Sequence, residues 1–255
     1  MSFKSEFKIK NFALKHDDSN DFYCMQFWCV PRWIIWCLRV IFTVYHLSTL
    51  LFSIIVHSSR IWPVFLTNWT MVIMLVYFIW ITALSGMFGL NLQFESLKDQ
   101  NVDQHTEIVA ARKEIPWHVK LFWAWYNVTY VITIVTDLMY WGFVYQPSHF
   151  DTFDMRFSNI NDHSALLAML LIDFTFHRIP VHLYHVVYSI VVAVIYLMVS
   201  IIYTLSSGRY VYKVLNWKDD AGKAVFFFFI ALLLAVIIQI VMYGLYRLKI
   251  RIKNN

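Results

Sequence analysis

The sequence predicts an all-α protein, a polytopic membrane helix bundle of six transmembrane helices. Three observations lead there. Hydrophobic residues make up 60% of the 255 positions and charged residues 15%, where a soluble domain runs near ~45–50% and ~25%. The mean hydropathy is +0.56. The apolar residues gather into six stretches without period-2 alternation. In lipid such a segment must satisfy its backbone hydrogen bonds internally, as a helix does. This balance excludes a disordered chain, a disulfide-stapled secreted module and an ordinary cytosolic enzyme. At about 20 apolar residues per span, the length holds about six spans with short loops and no separate globular domain.

The elements follow in order. Residues 1–32 form a polar N-terminal tail carrying Lys4, Lys8, Lys10 and Lys15. No short apolar segment follows these lysines before Trp33, so no signal peptide is expected. A six-helix transmembrane domain is expected over 33–246, and a basic C-terminal tail over 247–255. The first stretch, 33–56, is interrupted by Arg39 and His46. The second, 71–90, ends in the helix-weakening pair Gly86 and Gly89. The third, 119–145, carries Lys120 near its start and Asp137 inside. The fourth, 163–176, is short and carries Asp173. It reaches spanning length by borrowing 157–162, with a re-entrant hairpin as the alternative. The fifth is 183–205 and the sixth 224–246.

Orientation follows from lysine and arginine. One side holds Lys4, Lys8, Lys10, Lys15 and Arg32, then Lys98, Arg112 and Lys113, then Arg178, then Arg247, Lys249, Arg251 and Lys253, thirteen in all. The other holds Arg60, Arg156, Arg209, Lys213, Lys218 and Lys223, which is six. The positive-inside rule puts both termini in the cytoplasm of a plasma-membrane or endomembrane protein. The net charge of +5 sits in loops and tails. It reads as orientation and attraction to the headgroups of the lipid bilayer, with no nucleic acid as partner.

Three cysteines, Cys24, Cys29 and Cys37, do not make a paired framework. Cys24 and Cys29 precede the first helix and are candidates for palmitoylation. His177, His182 and His185 have near-helical spacing with Asp173, but Pro180 separates them and no carboxylate set completes a metal site. No metal and no cofactor is expected. Asn68-Trp69-Thr70 and Asn127-Val128-Thr129 match the glycosylation pattern yet fall in or against spans.

Ionisable residues inside spans are costly and raise functional hypotheses. Arg39 is placed to snorkel to the cytoplasmic interface, and Asp137 to pair with His46 or Arg39. Thr67 and His163 open the second and fourth helices on the same side, at similar depth. Together they suit a nucleophile and its base, with Asn68, Asn161 or a helix-start N–H as oxyanion donors. The plainer alternatives are a helix N-cap for Thr67 and an interface residue for His163.

A longer pattern carries a family resemblance. Leu66-Thr67-Asn68-Trp69, Asn161, Asp173, Arg178-Ile179-Pro180, His182-Leu183-Tyr184-His185, Ser207-Gly208 and Tyr210-Val211-Tyr212-Lys213-Val214-Leu215-Asn216-Trp217 resemble the rolling stone family of multi-pass membrane proteins. The likeness covers about residues 28–247. Asn216-Trp217 stands where the family pattern has Asp-Trp, and 218–222 replaces a shorter turn. The resemblance implies action at the cell membrane in cell fusion, such as myoblast fusion, or in cell–cell interaction with a cell-surface protein partner. The wider group is similar to the androgen-induced and androgen-dependent transmembrane threonine hydrolases, which cleave fatty acid esters of hydroxy fatty acids. Phe65-Leu66-Thr67 and the ten-residue spacing from His163 to Asp173 match their motifs. That likeness implies Thr67 and His163 as the catalytic pair and a lipid ester as substrate. A third reading, a transporter or channel, rests on Arg39, Asp137 and Asp173, but no repeated halves accompany them.

Overall fold

The computed structural model describes residues 14–16, 19–22, 30–56, 60–89, 115–146 and 153–254. Cys24, Cys29 and the loop lysines and arginines Lys98, Arg112 and Lys113 lie outside them. Among the described residues there is no strand. The helices are α1 Arg32–Val56, α2 Leu66–Leu84, α3 Trp117–Met139, α4 Phe153–Ile160, α5 Leu166–Phe176, α6 Val186–Ser207 and α7 Ala221–Asn254.

Three π-helical turns modify this set. Ser85–Gly89 extends α2, Tyr140–Val144 extends α3, and Asn161–Ala165 joins α4 to α5. The last makes the helical backbone continuous from 153 to 176, about 36 Å at the usual rise per residue. The fourth stretch therefore gains its length from the residues before it and forms a single rod, not a hairpin. At the other end of the chain, residues 247–254 continue α7 as helix.

Among the described residues four segments are long and apolar enough to cross a membrane: Arg32–Ile55, Leu66–Met87, Leu183–Ser207 and Ala221–Ile252. Their outward faces are greasy, with Ile41, Ile55, Ile202, Leu205, Phe229 and Leu233 exposed. Contiguous apolar surface on this scale suits lipid as solvent, because in water it would drive aggregation. The protein is a membrane protein whose described core is helical. Helix α3 is different in kind. It packs against α2, α6 and α7 and turns its polar residues Asn127, Thr133, Thr136 and Asp137 inward, where they are buried. Its modest apolarity reflects a central position.

Helix α1 packs against α2 and α5, and that contact decides the fate of Arg39. It does not snorkel. It is 1% exposed, and its Nε donates to Asp173 Oδ1 at 2.7 Å while Nη1 donates to Ser85 Oγ. The Tyr77 hydroxyl donates to Asp173 Oδ2 at 2.5 Å. A buried charge left without its partner is severely destabilising, so the opposed carboxylate on α5 holds the guanidinium inside. His46 turns to α2, its Nε2 donating to Met71 O at 2.9 Å. His177 Nε2 lies 3.3 Å from the Tyr130 hydroxyl, and His185 Nδ1 lies 3.2 Å from Asn127 Nδ2. Lys249 on α7 donates to the carbonyls of Phe174 and His177 at 2.5 and 2.9 Å, a cation against the C-terminal end of α5.

Two glycines matter for position. The Trp36 indole N–H donates to Thr82 O at 3.2 Å, and a Cβ on Gly86 would lie 2.7 Å from that nitrogen. Gly208 closes α6 with φ of 68°, the left-handed conformation of a helix C-terminal cap, and its N–H bonds Thr204 O at 3.0 Å. The chain then turns back across the end of the bundle, bringing Tyr212 to the start of α2.

Candidate active site

The N-terminus of α2 is capped from a distance. Phe65 is the N-cap residue and supplies no side-chain hydrogen bond. The Leu66 amide instead donates to the Tyr212 hydroxyl at 3.0 Å. Thr67 therefore sits in the first turn and is not the cap. The Tyr212 hydroxyl also interacts with the Thr67 hydroxyl and amide, and burial pushes its phenol up, so it stays protonated and able to donate.

His163 occupies the π-helical turn between α4 and α5 and is 5% exposed. Its Nδ1 lies 3.0 Å from Asp137 Oδ1. Its ring stacks flat on Tyr140, with centroids 3.5 Å apart and planes 3° from parallel. The Tyr140 hydroxyl donates to Asn159 Oδ1, and the Trp141 indole donates to His163 O at 3.0 Å. Imidazole orientation is thus set by a carboxylate, a stacked ring and its own backbone. With Nδ1 engaged, Nε2 is the nitrogen left for chemistry.

Thr67, Asn68 and His163 line one cavity of about 1040 Å³, together with Asn159, Asp162 and Tyr212. Asn68 Nδ2 donates to Trp62 O at 2.6 Å, which uses one of its two N–H groups. Asn161 is not brought to this cavity. It is buried, its Oδ1 accepting from the Tyr45 hydroxyl at 2.8 Å and its Nδ2 donating to Asp162 Oδ1 at 2.9 Å. Among the described hydrogen bonds none joins Thr67 directly to His163, so the two share a cavity without preformed contact. Asp173, ten residues after His163, lies about 15 Å further along the helix and belongs to the Arg39 cluster.

Three side chains here were not foreseen: Asp137 as the partner of His163, Tyr140 as its stacking ring, and Tyr212. Asp137 and Tyr140 are three apart and so share a face of α3. That signal was present, but nothing in the sequence linked the face to His163. Chemically, the arrangement has the parts of a base-activated nucleophile, with hydroxyl, imidazole and an orienting carboxylate. Beside Thr67 an apolar pocket opens between α2, α3, α6 and α7.

Comparison with known proteins agrees with the helical membrane architecture. The chain matches the protein rolling stone family over residues 1–255. It is 25% identical to protein rolling stone of Drosophila melanogaster over 269 residues, covering 97% of this chain and 90% of that protein. No solved structure matches it. A match along the whole chain, on a protein whose apolar helices suit a bilayer, makes this chain a member of the rolling stone family.

Proposed function

We propose that the protein is a six-span membrane protein with cytoplasmic termini, and that the cavity at its outer end hydrolyses lipid esters through Thr67 and His163. The six spans comprise the four apolar segments, α3 with its polar face turned inward, and the continuous rod of α4 and α5. The observation that carries the hydrolase reading is the shared cavity of Thr67 and His163, with His163 Nδ1 held by Asp137.

The chemistry balances with the groups at hand. His163 Nε2 takes the Thr67 proton as Oγ forms a bond to the ester carbonyl carbon. Asn68 Nδ2–H or the Tyr212 O–H stabilises the oxyanion. Collapse of the tetrahedral intermediate breaks the bond to the alcohol, which leaves with the proton from His163. Water, deprotonated by the same nitrogen, then cleaves the acyl–Thr67 ester and releases the acid. Transfer requires the hydroxyl and the ring to approach within about 3 Å, directly or through one water.

The test is hydrolysis of fatty-acid esters by detergent-purified protein, with a serine/threonine-directed activity probe. A nucleophile and its base act as a unit, so Thr67→Ala and His163→Ala lose similar activity and the double variant little more. Labelling that survives Thr67→Ala overturns the assignment. The cell-fusion or cell-contact role implied by the family likeness makes the opposite forecast, because it tolerates alanine at both positions.

A further inference from the structure

The apolar pocket beside Thr67 has a volume of about 110 Å³. It adjoins the larger cavity, and Thr67, Tyr140 and Tyr212 line both. Its floor is made by Ile132, Val135, Tyr196 and Ala235, all buried. On α3 the lining residues Ile132, Val135 and Thr136 fall at helical spacing on one face, and on α7 Ala231 and Ala235 do the same. The alanines keep the space open where α7 would otherwise fill it.

A second observation marks this space as a ligand site. Thr136 lines the pocket and is 6% exposed, and its hydroxyl, covered by the neighbouring side chains, has no hydrogen-bond partner. Threonines inside helices usually return their hydroxyl to a carbonyl one turn back, as Thr129 does to Trp125 O at 2.8 Å. A buried hydroxyl without a partner costs free energy that an incoming acceptor or donor would recover.

We propose that this pocket binds the short limb of an ester substrate, a chain of about four carbons bearing an oxygen that hydrogen-bonds Thr136. An apolar cavity of about 150 Å³ accommodates a benzene ring, which sets the carbon count. The bulkier limb of the ester occupies the larger cavity on the other side of Thr67. The assignment of an ester rests on the hydrolase reading, whereas the pocket's size and its unpartnered hydroxyl do not.

Two arms separate these. In the first, full-length protein in detergent is assayed with 4-nitrophenyl acetate, butyrate, octanoate, palmitate and 3-hydroxybutyrate. Butyrate exceeds octanoate at least ten-fold in kcat/KM. The Ala231→Phe variant lowers the butyrate-to-acetate ratio at least ten-fold. The hydroxybutyrate ester is preferred to butyrate about five-fold, as one hydrogen bond supplies, and Thr136→Val removes that preference. In the second arm, Thr67→Ala protein is photolabelled with ethyl 4,4-azipentanoate. Label falls on α3 and α7 peptides, is competed by ethyl butyrate but not by ethyl palmitate, and is lost in the Thr67→Ala, Ala231→Phe double variant. Should Ala231→Phe not give a monodisperse protein, Ala235→Val takes its place in both arms. Pocket-specific label with no ester cleaved retains the pocket and overturns the hydrolase. Hydrolysis indifferent to chain length, with label indifferent to Ala231→Phe, overturns the pocket and retains the hydrolase.

Discussion

Removing the Asp173 carboxylate would expose how much of the bundle depends on one ion pair. Arg39 and Asp173 side chains are 2% and 1% exposed, with Nε and Oδ1 2.7 Å apart. Asp173→Leu leaves the guanidinium with Ser85 and no counter-charge, and Arg39→Met leaves the carboxylate with Tyr77. Breaking a buried pair on one side costs about 3–5 kcal/mol. At roughly 2–4 °C of melting temperature per kcal/mol for a chain of this size, each single variant should melt roughly 6–20 °C lower. The double variant removes both charges from the interior and should melt above either single one. The measurement is thermal unfolding of the purified protein in detergent, followed by intrinsic fluorescence. Single variants that melt within about 2 °C of the parent would mean that Arg39 reaches water, and would refute the buried-pair argument.

Other expectations follow from separate features. Gly86→Ala should destabilise by about 1–3 kcal/mol through overpacking, since the new Cβ meets Trp36 Nε1 at 2.7 Å. Thermal unfolding reads this effect, and Trp36→Leu in the same chain should relieve it. Asp137→Asn should lower kcat roughly 10²-fold or more while KM and melting temperature change little, because the imidazole loses its orienting carboxylate. Equal activity in that variant would remove Asp137 from the site. Tags placed at the two termini should both be accessible only after permeabilisation, and surface labelling of a C-terminal tag on intact cells would overturn the charge-based topology.

The helices were legible in the sequence because lipid leaves few alternatives to a helix, and the six apolar stretches correspond to the helical rods. The fourth was legible only in part. Its extension through 153–162 passes through polar residues such as Asn159, Asn161 and Asp162, which hydropathy reads as loop. Partner choice was not legible. Periodicity orders residues on one helix but does not say which helix lies opposite. On its own helix Arg39 is free to snorkel, and only the packing of α1 against α5 holds it inside; Asp137, within reach of Arg39 or His46 by helix position, has as its neighbour His163, 26 positions away. Helix alternation puts Thr67, Asn68, Asn161 and His163 at one end in the sequence reading, and the structure brings Thr67, Asn68 and His163 to one cavity but not Asn161. Tyr212 stands in the loop motif with no role legible there, since only the turn at Gly208 carries it back to α2.

The last turns of α7 have a different consequence. Lys249 lies past the apolar stretch 224–246, near the end of its helix, yet reaches the final carbonyls of α5. A reading frame ending after Tyr246 would encode all six apolar stretches and still lose that clasp. Translocation and glycosylation-scanning assays would count such a product as whole. Its fault would surface only later, at the stage where cells sort properly closed bundles from loosely closed ones.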